Sequence, residues 1–183
     1  MRVIGGRFRS RRLKFPKTKL IRPATDRLKE TIFDTLGQDL SGERVLDLFA
    51  GCGSLGIEAL SRGARAVTFV DSNPVAIRYI SENLKDLGLM DRAEVLKMDA
   101  IEAVQRLSGG NRVYETLFID PPYNQGLVKK TLLHLVPFDI LARLGKIVIE
   151  HTRQEELPPV QELVLERTKR YGITCLSFLY KRS

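Results

Sequence analysis

The stretch Val45-Leu46-Asp47-Leu48-Phe49-Ala50-Gly51-Cys52-Gly53-Ser54-Leu55-Gly56 decides the fold class. Its apolar first part is typical of a buried β-strand, and the segment 55–62 that follows has helical spacing and is closed by a glycine. Gly51, Gly53 and Gly56 match the G-x-G-x-x-G pattern, in which glycines allow a tight turn from strand to helix close to a ligand. Alone, this pattern equally describes an ordinary strand-to-helix turn.

The alternation of strand and helix continues along the chain. Further strands are predicted at 66–70, 94–97, 115–119 and 144–150, and further helices at 73–87, 100–107, 126–135 and around 138–143. This order indicates βαβ units and an α/β fold with a mostly parallel sheet. The segments 162–168 and 173–180 are separated only by a turn, which predicts an antiparallel C-terminal hairpin.

Positive charge is concentrated at the N-terminus. The 183 residues carry a formal net charge of +8, yet residues 1–29 contain eleven basic side chains and one acid, while the remainder is nearly neutral. A small basic β-hairpin is predicted at the N-terminus, with its turn at 3–8 and a second basic strand or extended segment at 9–15, followed by a helix begun by Thr25 or Asp26. We therefore expect a basic extension at 1–40, a body at 41–183, and a polyanionic partner.

Composition argues against several other classes of protein. No apolar run approaches the ~18 residues of a membrane span, and no secretory signal is visible, so we expect a cytoplasmic protein. Cys52 and Cys175 are too few for a disulfide framework or a zinc site, and His134 and His151 offer little material for a hydrolase triad. No metal is expected, and Cys52 is not expected to act as a nucleophile.

Acidic residues follow the second and third predicted strands. Asp71 lies twenty positions after Gly51, where a carboxylate can accept hydrogen bonds from ribose hydroxyls. Asp99 ends the third strand after Met98, where it can accept from the amino group of an adenine. Either Asp can instead cap the helix that follows it.

The fourth strand end is the most informative. Asp120-Pro121-Pro122-Tyr123 follows the apolar run 117–119, so an acid, two prolines and an aromatic ring emerge at the edge where open α/β sheets bind ligands. Termination of a strand explains the prolines, but it explains neither the acid before them nor the tyrosine after them.

These motifs, in this order, resemble those of S-adenosylmethionine-dependent methyltransferases that modify the exocyclic amines of bases. More narrowly, the chain resembles, over essentially its whole length, the RsmD-type family of bacterial 16S rRNA guanine-N2 methyltransferases. The resemblance is carried by Arg2-Val3-Ile4-Gly5-Gly6, Arg22-Pro23-Ala24-Thr25-Asp26-Arg27 with Glu30, Asp47-Leu48-Phe49-Ala50-Gly51, and Gly56-Ile57-Glu58-Ala59-Leu60-Ser61-Arg62-Gly63. Cys52 departs from the serine or other small residue of many members, but it fits the same turn.

The resemblance implies a Rossmann-like class I methyltransferase fold, S-adenosylmethionine as cofactor, and a set of site residues. The implied cofactor-binding residues are Asp47, Phe49, Gly51, Gly53, Ser54, Asp71 and Asp99. Asp47 would orient the methionine ammonium of the cofactor through water, and Ser54 would contact its carboxylate. The implied catalytic residues are Asp120 and Pro121, which would accept the hydrogens of the amine, and Tyr123, which would either stack on the target base or plug the loop against the sheet. The implied RNA-binding residues are Arg7, Arg9, Arg11, Arg12, Arg22 and Arg27.

The implied partner is 16S rRNA, within the small ribosomal subunit or an assembly intermediate. We expect the protein to act as a monomer and to have no membrane partner. Three alternatives stay open. An adenine-N6 methyltransferase acting on DNA or RNA would use the same Asp-Pro-Pro-Tyr chemistry, although nothing in the chain looks like a separate target-recognition domain. An NAD-binding oxidoreductase would explain the glycines and Asp71, and a non-enzymatic RNA-binding module would explain the basic arm alone.

Overall fold

Seven strands and five α-helices alternate in the computed structural model, which describes residues 1–16, 25–110, 112–135 and 137–182. The helices are α1 (Asp26–Leu36), α2 (Ser54–Ser61), α3 (Pro74–Leu87), α4 (Ala100–Ser108) and α5 (Leu127–Leu135), with a 3₁₀ turn at Met90–Arg92. The strands are β1 (Arg44–Leu48), β2 (Ala66–Asp71), β3 (Ala93–Lys97), β4 (Tyr114–Ile119), β5 (Leu141–Thr152), β6 (Leu163–Tyr171) and β7 (Thr174–Lys181). Every predicted strand of the sheet is present.

The strands form one sheet with the order β3-β2-β1-β4-β5-β7-β6. The five strands β1 to β5 are parallel, and β7 pairs antiparallel with both β5 and β6. The predicted mostly parallel sheet with an antiparallel C-terminal hairpin is thus confirmed. The direction of the strand order reverses between β1 and β4, and ligands of open α/β sheets bind at the carboxyl ends of the strands beside such a reversal.

Helices cover both faces of the sheet. On one face Phe118 and Val148 pack with apolar side chains of α1, α2 and α3, and on the other Leu117 and Ile147 pack with those of α4 and α5. Consecutive residues such as Leu117 and Phe118 lie on different faces because successive side chains of a β-strand point to opposite sides of the sheet. Phe33 of α1 meets Phe118 edge-on, with ring centroids 5.9 Å apart, so the N-terminal helix belongs to the core of the sheet.

The helix predicted around 138–143 is wrong. The apolar spacing there suggests a helix, but the chain instead enters β5 at Leu141, after the amide of Tyr114 donates to the Ile140 carbonyl at 2.8 Å. The register with β4 shifts between Tyr114 and Thr116, and Leu144 takes a positive φ of 60° at this irregular point. Pairing with a neighbouring strand therefore overrides the local pattern, because the main-chain groups beside β4 require partners.

The first sixteen residues reverse direction and lie against α2. The amide of Val3 donates to the Arg11 carbonyl at 2.9 Å and the amide of Ser10 to the Val3 carbonyl at 2.8 Å. The bridge between Arg2 and Arg12 is the one pairing of β type in this segment as described, so the part after the turn is extended chain and not a strand. We use "arm" below for residues 1–16.

Glu58 of α2 holds the arm in place. It is completely buried, and its carboxylate accepts the amide hydrogens of Ile4 at 2.9 Å and Gly5 at 2.7 Å. Two buried cations balance its charge, Lys29 at 3.4 Å and Arg62 at 3.1 Å. A buried carboxylate is tolerated only when it is neutralised and hydrogen-bonded in this way. The backbone of the arm is therefore fixed on α2 and does not depend on the arginine side chains.

Candidate active site

A cavity of about 460 Å³ opens at the carboxyl ends of the parallel strands. Its size is that of a small-molecule binding site. The cavity collects residues from the carboxyl-terminal parts of the five parallel strands and from the loops that follow four of them. Its lining includes Asp47, Phe49, Gly51, Ser54, Asp71, Met98, Asp99, Asp120, Pro121, Tyr123 and Glu150. The structure thus brings together all of the predicted cofactor-binding and catalytic residues except Gly53, which lies in the same glycine-rich loop.

The glycine-rich loop turns sharply between β1 and α2. Phe49 has a φ of 65°, Gly51 a φ of 58° and Gly53 a φ of 82°, so three positions of the loop lie in the left-handed region. Gly56 has a packing role instead, because a Cβ there would lie 2.2 Å from the ring of Phe69 on β2. The first glycines shape the wall of the cavity, and the third allows α2 to lie tightly on the sheet.

Asp71 connects the ends of β1 and β2. Its carboxylate accepts the amide hydrogens of Gly51 and Asn73, each at 2.8 Å, so both oxygens are held in place. Burial raises the pKa of Asp71 above its ordinary value, against the lowering effect of these two amides. A rigidly held acceptor therefore faces the cavity at the position predicted for ribose hydroxyls.

Asp99 acts as a helix cap and also faces the cavity. Its side chain accepts the amide hydrogen of Ile101 at 2.8 Å at the start of α4, and the residue is exposed. The two interpretations made from the sequence are compatible, because a capping carboxylate keeps lone pairs for a second donor.

Asp47 and Ser54 lie deeper in the wall. Asp47 is 1% exposed and accepts the amide hydrogen of Gly56 at 2.9 Å. Burial raises the pKa of Asp47 from 3.8 to about 7, and the nearby charge of Asp71 acts in the same direction. The Oγ of Ser54 is buried and, within the described part of the chain, has no hydrogen-bond partner. An unsatisfied hydroxyl at a cavity wall is a position for a polar group of a ligand.

The Asp-Pro-Pro-Tyr loop leaves β4 at the other end of the cavity. Pro121 is buried, and Tyr123 is half-buried. The Tyr123 hydroxyl donates to Oε1 of Glu150 and lies 3.1 Å from Oγ1 of Thr174. Burial, followed by the hydrogen bond with Glu150, raises the pKa of Tyr123, so the hydroxyl keeps its proton. The ring is thereby tied to β5 and β7.

Glu150 is a cavity residue that reasoning from sequence missed. It is 8% exposed, lies on β5, and lines the cavity beside the Asp-Pro-Pro-Tyr loop. Its only sequence signal was a charged residue at the predicted end of a strand otherwise apolar in Ile147-Val148-Ile149. Such a residue can be assigned to the cavity only when the order of the strands is known.

Asn83 of α3 is a second missed residue, and it connects the arm to the glycine-rich loop. Its side chain exchanges hydrogen bonds with the backbone of Lys14, at 2.7 Å and 2.9 Å, and donates to the carbonyl of Cys52 at 3.1 Å. Burial raises the pKa of the Cys52 thiol to about 11, so this side chain stays a neutral part of the turn.

The predicted RNA-binding arginines that the structure describes do not line the cavity. Arg7, Arg9, Arg11 and Arg12 are exposed, and the ion pairs that the described part of the arm forms involve Arg2 and Lys14 instead. Arg27 lies over the ring of Tyr171, 5.1 Å from its centroid. Arg22 lies outside the described residues. Among the helices described, none is long and apolar enough to cross a membrane.

Comparison with known proteins identifies the family. Residues 1–180 match the family described as conserved hypothetical protein 95. YlbH of Bacillus subtilis is 42% identical over all 183 residues and the whole of its own length. Ribosomal RNA small subunit methyltransferase D of Escherichia coli (strain K12) is 33% identical over 160 residues, which cover 87% of this chain and 79% of that protein.

Solved structures give the same result. That of yhhF from Escherichia coli superposes with a TM-score of 0.87 and 30% identity, over 100% of this chain and 98% of the other. An RNA methyltransferase from Salinibacter ruber, solved with S-adenosyl-L-homocysteine, shares the fold with a TM-score of 0.68 at 16% identity, over 88% of this chain and 95% of the other. The sheet is thus that of the class I S-adenosylmethionine-dependent methyltransferases, as predicted, and the chain belongs to the conserved hypothetical protein 95 family, the RsmD-type family that its motifs resemble.

Proposed function

We propose that this protein transfers a methyl group from S-adenosylmethionine to the exocyclic N2 amine of a guanine in 16S rRNA of the small ribosomal subunit. The observation that carries the proposal is one cavity lined both by acids at the carboxyl-terminal ends of β1, β2 and β3 and by the Asp-Pro-Pro-Tyr loop after β4. The names of the curated relatives, ribosomal RNA small subunit methyltransferase D among them, support rRNA as the substrate.

The residues of the cavity fit this cofactor. Asp71 would accept from the ribose hydroxyls and Asp99 from the adenine amine, with Phe49 and the backbone of Gly51 and Gly53 forming the adjacent wall. The buried Oγ of Ser54 would find its missing partner in the cofactor carboxylate. Asp47 would balance the ammonium through water. The bound cofactor supplies an electrophilic methyl group on a positively charged sulfur.

Asp120 and Pro121 would prepare the amine for attack. The lone pair on N2 of guanine is delocalised into the ring until both N–H bonds are held and the nitrogen becomes pyramidal. The carboxylate of Asp120 and the carbonyl oxygen of Pro121 would each accept one of these hydrogens, which aims the lone pair into the cavity. As the new N–C bond formed, the bond between the methyl carbon and sulfur would break, and its electron pair would stay on the sulfur, which becomes neutral. The amine would gain positive charge and lose one proton, which the carboxylate of Asp120 would accept.

Tyr123 would form the wall on which the turned-out base rests. Its hydroxyl is anchored on Glu150 and Thr174, so the ring is held at a set angle, and stacking on such a ring is independent of base identity. The ring would therefore position the base, and its anchoring also closes the loop against the sheet. This role combines the two interpretations that the sequence left open.

The extension 1–40 would hold the RNA, and the domain 41–183 would carry out the chemistry. Arg7, Arg9, Arg11 and Arg12 present exposed guanidinium groups for phosphates, and Arg22 and Arg27 would add to them nearer α1. We expect a cytoplasmic monomer.

The experiment that tests this proposal is methylation of small-subunit particles with cofactor labelled in its methyl group, followed by nucleoside analysis. We expect label in N2-methylguanosine from particles that lack this modification. Label in N6-methyladenosine would contradict the proposed base, and label only in duplex DNA would contradict the substrate. A thermal-shift comparison tests the cofactor separately, because S-adenosylhomocysteine and not NAD should raise the melting temperature.

A further inference from the structure

We propose that Glu150 accepts the N1–H of the target base and thereby selects guanine over the other bases that carry an exocyclic amine. This inference rests on the proposed function, because it requires a base amine held by Asp120 and Pro121.

The register of the sheet places Asp120 and Glu150 at neighbouring positions of two adjacent segments of the chain. In the parallel pair β4 and β5, Ile119 lies opposite Ile149, and the next residues along the two chains are Asp120 and Glu150. Neighbouring strands are about 4.8 Å apart, and residues two positions apart share a face. Asp120 and Glu150 therefore continue the rows of Phe118 and Val148, which pack together on one face, and both line the cavity.

The carboxylate of Glu150 is held in position from behind. The Tyr123 hydroxyl donates to its Oε1, and Oγ1 of Thr174 lies 3.1 Å from that hydroxyl. Burial and the charges of Glu150 and Asp120 raise the pKa of Tyr123, which keeps this hydroxyl a donor. A charge-assisted hydrogen bond from a half-buried donor fixes one oxygen of a carboxylate whose residue lines the cavity.

The chemistry of the bases makes a second acceptor selective. In guanine the N2 amine has the N1–H donor as a neighbour. In adenine the N6 amine is flanked by N1 and N7, which are both acceptors, and in cytosine the N4 amine is flanked by the N3 acceptor and a C–H group. With the amine held by Asp120, the carboxylate of Glu150 would gain a hydrogen bond from N1–H of guanine. In adenine or cytosine it would meet a lone pair or a C–H group instead. The structure thus favours guanine over adenine as the substrate base.

The first test uses the unaltered protein. Small-subunit particles are reconstituted from ligated rRNA that carries guanine, 2-aminopurine or 6-thioguanine at the methylated position, and methyl transfer is measured. 2-Aminopurine keeps the 2-amino group but presents a lone pair at N1, whereas 6-thioguanine keeps N1–H. We expect kcat/KM for 2-aminopurine to be at least about 100-fold below that for guanine, and 6-thioguanine to stay within about tenfold.

The second test uses Glu150→Gln, which removes the charge and replaces one acceptor oxygen with an amide donor while keeping the shape. Because the Tyr123 hydroxyl holds the amide oxygen, the amide N–H would face the base and pair with a lone pair at N1. We expect guanine turnover to fall about 10- to 100-fold and the preference over 2-aminopurine to shrink to within about tenfold. Glu156→Gln, the same change at an exposed site, is the matched control and should keep the full preference.

Two results would overturn the assignment. One is equal transfer to guanine and 2-aminopurine by the unaltered protein, a comparison that needs no variant to fold. The other is a Glu150→Gln variant that loses both activities in proportion, which indicates a structural role. Failure of the proposed function is distinguishable, since the unaltered protein would then methylate no guanine at all in these particles.

Discussion

The two sides of the cavity are built differently. We call the side formed by β1, β2 and β3, where the cofactor is proposed to bind, the cofactor side. Its acids make contacts over short separations: Asp99 to Ile101 across two residues, Asp47 to Gly56 across nine, and Asp71 to Gly51 across twenty. We call the side formed by β4, β5 and β7, where the base is proposed to bind, the target side, and there the Tyr123 hydroxyl contacts Glu150 across 27 residues and Thr174 across 51. The cofactor side is built from local motifs, and the target side from strands that meet only after folding.

This difference predicts that the two sides can be disabled separately. Changes on the cofactor side should lower affinity for S-adenosylhomocysteine, and changes on the target side should lower transfer without lowering that affinity. The arm is attached to α2 through Glu58 and to the glycine-rich loop through Asn83, so it belongs to neither side, and its side chains should affect RNA alone.

The largest effect is expected from Asp120→Ala. Removing the acceptor of an amine hydrogen should lower kcat at least about 1,000-fold, since positioning and electrostatics supply most of the catalysis. Affinity for S-adenosylhomocysteine, measured by calorimetry, should stay within about threefold because Asp120 lies on the target side. Turnover equal to that of the unaltered protein would refute the proposed mechanism, and Glu156→Ala serves as the control.

The next effect concerns the arm. Replacing Arg7, Arg9, Arg11 and Arg12 together with glutamine should weaken binding to rRNA about 100-fold at low salt and reduce the slope of log K against log[salt] by about 3. Cofactor affinity and the melting temperature should hardly change, because the arm is docked through its backbone amides.

A control with the same loss of charge uses four exposed basic residues of the body. These are Lys129, Lys130, Arg143 and Arg153. If their replacement by glutamine weakens RNA binding as much as the arm variant does, total charge matters and the arm has no special role.

A smaller effect is expected from Asp71→Ala. Loss of the ribose acceptor should weaken S-adenosylhomocysteine binding about 10- to 100-fold, the range of hydrogen bonds to charged groups. Transfer at saturating cofactor should change less than affinity does, which is the reverse of the Asp120 result. If calorimetry showed unchanged affinity for S-adenosylhomocysteine, another acid would have to bind the ribose. Asp91→Ala, at an exposed position after α3, is the control.

The smallest effect is a pH dependence. Burial raises the pKa of Asp47 from 3.8 to about 7, so below pH 7 much of this carboxyl carries a proton. The ammonium group of a ligand favours the ionised form of Asp47, so at low pH binding must be accompanied by release of the Asp47 proton. Affinity for S-adenosylhomocysteine should therefore rise with pH up to about 7, by at most about tenfold per unit, and level off above it.

Two comparisons isolate this titration. Asp47→Asn should flatten the profile, because the amide does not ionise. 5′-Methylthioadenosine, which lacks the amino acid part, should show no such dependence with the unaltered protein. A profile that stays steep in Asp47→Asn would assign the titration to a different group.

The residue pattern alone was enough to predict the parallel sheet and the C-terminal hairpin, and it placed Asp71, Asp99 and the Asp-Pro-Pro-Tyr loop at strand ends. These features follow from local information: apolar strands, glycines that turn, and carboxylates at or directly after the end of a strand. The family was predicted from the resemblance of whole motifs to those of known proteins, and the assignment of Asp47, Phe49 and Ser54 came with it. The helix expected around 138–143 failed because pairing with β4 outweighed a helical spacing of apolar residues.

Only the tertiary structure decided what lies opposite those motifs. Glu150 became a cavity residue because β5 lies beside β4 in register, and Tyr123 found its partners because β7 returns antiparallel to β5. The sequence does not distinguish Glu58 and Asn83 from ordinary helix residues, because their partners in the arm are distant along the chain. A motif specifies its own turn, but contacts between distant segments depend on the spatial order and register of the strands in the sheet. No local pattern of residues specifies that order.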